Sequence, residues 1–76
     1  MTEQEELIKF CDDGGIPFLV IPAYDAALPF VLGAYFKDCK SAKCSNSILE
    51  SIIEKANDLE KWQIEHEDMV RYTHLI

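Results

Sequence analysis

Three cysteines and two histidines carry the thiol and imidazole chemistry of this 76-residue chain: Cys11, Cys39, Cys44, His66 and His74. Structural zinc sites use ligands in tight pairs, typically about two to four residues apart, with a second pair similarly spaced. Here Cys39 and Cys44 stand five positions apart and the histidines eight. No metal and no cofactor are expected. His66 lies between Glu65 and Glu67, with Asp68 next. A histidine beside carboxylates can act as a base, but neighbouring residues on a helix point in different directions and form no preassembled dyad. Cys11 precedes Asp12 and Asp13, a negative field that disfavours a thiolate. No serine occupies a nucleophile elbow, and Gly14-Gly15 reads as a turn rather than a phosphate loop. No residue passes the nucleophile–base test, so no catalytic residue is assigned and no enzymatic activity is expected.

The remaining candidates suit binding. Asp25 is the one acid within Ile16–Phe36, the most apolar stretch of the chain. An acid there must cap, pair or meet a partner. Two readings stand: a side chain that organises a turn, which Asp does often, and a partner contact at the mouth of that turn. Trp62 has the same division between a half-buried core residue and an interface anchor. Glu54, Asp58, Glu65 and Asp68 form a candidate acidic face, in which Glu54 and Asp58 repel each other at a four-residue spacing.

The elements that must position these residues follow from pattern. Thr2–Asp13 predicts a helix, with Thr2 and Glu5 at capping-box spacing and Gly14-Gly15 closing it. Ile16–Ala23 predicts a short strand, because Phe18, Leu19, Val20 and Ile21 are a β-favouring run between Pro17 and Pro22. A lone strand needs a partner. The candidates are the apolar tail around Met69, Val70, Tyr72, Leu75 and Ile76, or a second copy of the chain. The tail also reads as an extension of the last helix. A turn organised by Asp25 leads into a helix over 29–40, with Pro29 at its first position. Leu28, Val31, Leu32, Tyr35, Phe36 and Cys39 give this helix a broad apolar face, and Phe30 and Ala34 widen it. It is expected to be the most buried element. Ser47 and Glu50 predict the start of the longest helix, over 48–65. Its inward stripe is Leu49, Ile52, Ile53, Ala56, Leu59 and Gln63, flanked by Ile48 and Trp62. The expected fold is therefore a single α+β domain, predominantly helical.

Fourteen acids against seven bases give a net charge of −7. Such a surface repels nucleic acid and anionic lipid, and two readings of it stand: it keeps a small protein soluble, the favoured reading, or it serves a partner with a basic surface. Lys37, Lys40 and Lys43 are the only basic cluster, too small for direct nucleic-acid binding at ordinary salt. An odd cysteine count and an acidic, amphipathic start without a secretory pattern point to free thiols in the cytoplasm. The run Ile16–Phe36, followed by lysines, also resembles a membrane span. Asp25 near its centre costs about 2.5–3.5 kcal/mol on insertion scales, and Pro17, Pro22 and Pro29 remove backbone donors. Membrane insertion is therefore disfavoured, though direct nucleic-acid binding is the least favoured reading of all.

Pro17-Phe18-Leu19-Val20, Asp25, Leu28-Pro29 and Trp62-Gln63 together resemble a type of small phage and prophage protein. Such proteins carry a Pro-Phe-apolar run, an Asp, a helix opened by Pro and a second helix ending in Trp-Gln. The resemblance covers Ile16–Gln63 and implies a mobile-element protein acting inside a bacterial host cell. It implies no activity. With the charge and the absence of catalytic motifs, it leads to the expectation of an inhibitor that binds a host protein, in the manner of anti-CRISPR proteins. The competing expectation is a small structural or regulatory homodimer.

Overall fold

The computed structural model describes residues 1–76. It contains three helices, α1 (Glu3–Asp13), α2 (Leu28–Ser41) and α3 (Asn46–Glu65), and a 3-10 turn at Glu67–Met69. The mostly helical character matches the sequence pattern, and no β-sheet forms.

Local chemistry sets each helix end. Thr2 Oγ1 accepts from the Glu5 amide at 3.2 Å, and the Thr2 hydroxyl donates to the Glu5 carboxylate at the same distance. One orphan amide at the start of α1 is thus satisfied, and the second bond holds the two side chains together. At its other end the Ile16 amide donates to the Cys11 carbonyl and the Gly15 amide to Asp12. Gly15 sits at φ 66°. This is a Schellman closure, and the left-handed residue is the one without a Cβ.

The Asp25 turn forms as expected. Asp25 Oδ1 accepts from the Ala27 amide at 2.8 Å, and the Leu28 amide donates to the Asp25 carbonyl. α2 then starts one residue earlier than the pattern indicated, which puts Pro29 at the second helical position. That position also lacks an intrahelical amide bond, so the proline costs nothing there. α3 starts two residues early. Its cap is Ser45 rather than Ser47, with Ser45 Oγ accepting from the Ile48 amide at 3.4 Å. Ser45 is extended, at φ −61° and ψ 154°, as an N-cap must be.

The Ile16–Ala23 strand does not form. The segment is extended but has no ladder partner along its length. Pro17 and Pro22 remove two donors from it, and the tail makes a single backbone hydrogen bond to it, at its middle. The Val20 amide donates to the Ile76 carbonyl at 2.6 Å. Asp25 and Arg71 form an isolated bridge of parallel type, in which Arg71 N–H donates to Tyr24 and Ala26 N–H to Arg71. The tail therefore neither extends α3 nor builds a strand.

α2 packs on α3, and α1 packs on neither. Leu28, Cys39 and Ile52 are the buried apolar residues, with Leu32, Phe36, Leu49, Ala56 and Leu59 half-buried around them. α2 is the most buried helix, as expected, with Leu28 and Cys39 buried, but the broad face is corrected: Phe30, Val31 and Tyr35 are exposed, because only α3 covers this helix. The exposed Ile53 likewise leaves the inward stripe of α3. Only four of 76 residues are buried, and the accessible surface is 6336 Å². A closed monomer of this mass exposes about 4,700 Å². No helix is long and apolar enough to cross a membrane. The run Ile16–Phe36 is divided instead between the extended segment, the Asp25 turn and the first half of α2.

Candidate interaction surface

Asp25 joins the segment before α2 to the C-terminal tail. It is only 5% exposed. One carboxylate oxygen accepts from the Ala27 amide and the other from the Thr73 hydroxyl. The Thr73 bond, and then the Ala27 bond, hold the Asp25 pKa below the ordinary carboxylate value, against the opposing push of burial. From the other side, the Gln63 side-chain amide donates to the Ala23 carbonyl at 2.9 Å and to the Asp25 carbonyl at 2.8 Å. The end of α3, the turn and the tail are thereby fixed to one another. Arg71 places its guanidinium 5.6 Å from the centre of the Tyr24 ring, a second tie between the same two segments.

Beside this junction lies an open groove of about 580 Å³. Ile21, Leu28, Leu32, Leu59 and Trp62 line it, together with the exposed Lys55 and Asp58. The Trp62 ring stacks on His66 with centroids 4.1 Å apart and planes at 14°. His66 Nδ1 lies 2.8 Å from the Trp62 carbonyl, which fixes the imidazole over the indole. Trp62 is thus half-buried and preorganised, with part of its surface open to the groove.

The six residues singled out for binding separate into three places. Asp58 and Trp62 share the groove. Asp25 is turned inward at the junction, with both carboxylate oxygens engaged. Glu54, Glu65 and Asp68 are exposed outside the groove. Glu54, Asp58 and Glu65 fall along one side of α3 by helical spacing, and Lys61 falls among them. None of these four side chains forms an ion pair: the single salt bridge is Lys9–Asp13, 2.7 Å, on α1. The acids are therefore solvated and uncommitted.

Sequence reasoning placed Gln63 in the inward stripe but did not assign its role as a clamp on two carbonyls. Its signal was a polar residue on an apolar face. Thr73 and Arg71 carried no such signal, since their partners lie more than forty residues away in sequence. No cluster of three or more His, Cys, Asp or Glu residues could hold a metal ion. Comparison with known proteins finds no matching family model, no similar curated protein and no similar solved structure.

Proposed function

We propose that this chain is a small acidic interaction protein of phage type that binds and inhibits a host protein with a basic surface. The concrete form is an anti-CRISPR-like inhibitor of a nucleic-acid-binding complex, acting in the cytoplasm of a bacterial host. The observation that carries the reading is the side of α3 where exposed, unpaired acids run past an apolar groove containing a fixed tryptophan. Acids steer a basic partner and set its register. An aromatic anchor in an apolar groove supplies the desolvated contact that dominates affinity at interfaces. The net charge of −7 extends the same field over the whole molecule. The resemblance to small phage proteins supports the provenance.

The test is charge reversal. Glu54→Lys, Asp58→Lys, Glu65→Lys and Asp68→Lys are combined in one variant, and partner binding is measured across salt concentrations. Wild type is expected to bind with a steep salt dependence that the variant loses. Equal binding by both proteins at every salt concentration would end the charge-mimicry reading.

A second reading, a structural or regulatory homodimer, is favoured by the surface. The chain exposes about 1,600 Å² more than a closed monomer of its mass, about twice the share of about 800 Å² that one partner buries in a standard-size interface. α1 leaves Leu7 and Phe10 exposed, and the tail leaves Tyr72, Leu75 and Ile76 so. Sedimentation separates the two readings: a stable dimer at low micromolar concentration supports the homodimer, and a monomer removes it.

A further inference from the structure

We propose that Cys39 and Cys44 are a thiol pair that closes reversibly into an intrachain disulfide, making the C-terminal end of α2 a redox modification site. The argument starts from how α2 ends. The Cys44 amide donates to the Cys39 carbonyl at 3.0 Å, and the Lys43 amide donates to the Lys40 carbonyl at 3.1 Å. Lys43 is left-handed, at φ 57°. These features make a second Schellman closure. Cys39 takes the helical position and Cys44 the following position whose side chains pack against each other in that motif.

α1 closes by the same pair of bonds, with Cys11 and Ile16 in the equivalent positions. Only the α2 closure puts a thiol on both sides. Cys11 lies on a helix that packs on neither α2 nor α3. Cys39 is buried and Cys44 is half-buried, and all three thiols are free. Burial, and then the adjoining Cys44 thiol, push the Cys39 pKa up, so Cys39 waits as the protonated member of the pair.

The oxidant is a low-molecular-weight disulfide, such as glutathione disulfide. The Cys44 thiolate attacks one of its sulfurs, forms a mixed disulfide and releases one glutathione thiolate. Cys39 then loses its proton and attacks the Cys44 sulfur, expelling the second glutathione. Two cysteine thiols are oxidised to one disulfide, and one glutathione disulfide is reduced to two thiols. The product ties the last turn of α2 to the residue before the Ser45 cap of α3, and so locks the connection between the packed helices. Cys11 remains the one free thiol.

The full chain is equilibrated in buffers of reduced and oxidised glutathione, acid-quenched, alkylated and digested with trypsin. Cleavage after Lys40 and Lys43 separates the two cysteines, so their disulfide appears as a linked peptide pair. The folded protein should show this pair, with Cys11 alone alkylated. Its equilibrium constant should exceed that of the chain in concentrated guanidinium by at least about tenfold, a potential difference of about 30 mV. Cys39→Ser should stop at a stable glutathione adduct on Cys44. Equal constants for folded and unfolded chain would overturn the proposal, because closure would then owe nothing to the helix end. So would pairing through Cys11, or three alkylated cysteines in a buffer that forms the pair in the unfolded chain.

Discussion

At Asp25 a single carboxylate serves two segments, accepting from Ala27 before α2 and from Thr73 in the tail. Its folded-state pKa lies below the ordinary value, and the sign of the pH effect follows. Above an unfolded carboxylate pKa of about 3.9 the folded state gains the full benefit of the charged form. As pH falls from there through the lower folded value, that benefit is lost. Urea unfolding of wild type should therefore show stability declining below about pH 4. Thr73→Val should be less stable at neutral pH and show a shallower decline, because it removes the bond that contributes most to the shift. An identical acid profile in the two proteins would show that Asp25 is not tied to the tail. Gln63→Ala should cost about 1–3 kcal/mol by leaving the Ala23 carbonyl without its donor, while the Asp25 carbonyl keeps the Leu28 amide. Gln63→Glu should cost at least as much, since a carboxylate has no N–H to give.

Among the elements, α2 and α3 hold the only helix–helix contact. Ile52 is buried and its neighbour Ile53 is 46% exposed. Chemical denaturation should find Ile52→Ala costing about 2–4 kcal/mol and Ile53→Ala well under about 1 kcal/mol. Comparable losses would mean that α3 is rotated from the register described. Lys43 holds a left-handed backbone that disfavours any side chain. Lys43→Gly should raise stability by about 0.5 kcal/mol, measured by the urea midpoint.

The helices were legible because their signals are local: Thr2 with Glu5, Gly14-Gly15, Pro29 and the spacing of Leu49, Ile52, Ala56 and Leu59. The strand was not. Phe18–Ile21 has β-favouring residues, but a strand exists only through a partner. The tail makes one backbone bond to the segment, at Val20, and spends the others beyond it, on either side of Asp25. The α3 cap was misplaced because Ser45 and Ser47 are both good caps, and only the conformation of the preceding loop decides between them. Of the candidate site, the acids and Trp62 were legible from helical spacing. The groove was not, because it needs Ile21 from the extended segment, Leu28 and Leu32 from α2 and Leu59 from α3 to meet.

The whole molecule combines a strong negative charge with an incompletely covered apolar surface. A closed monomer of this size buries more. The expectation is that a second surface, a basic partner or another copy, completes it. Binding to a basic partner should slow the hydrogen exchange of amides in α3 and in the Trp62 groove, while homodimer formation should protect α1 and the tail. The most direct test of the inhibitor reading is capture of partners from bacterial lysate on tagged wild type and on the four-acid reversal variant, washed at low and at high salt. The account predicts one dominant protein with a basic nucleic-acid groove, held by wild type at low salt, released at high salt and absent from the variant. The same proteins on both baits, indifferent to salt, would contradict it.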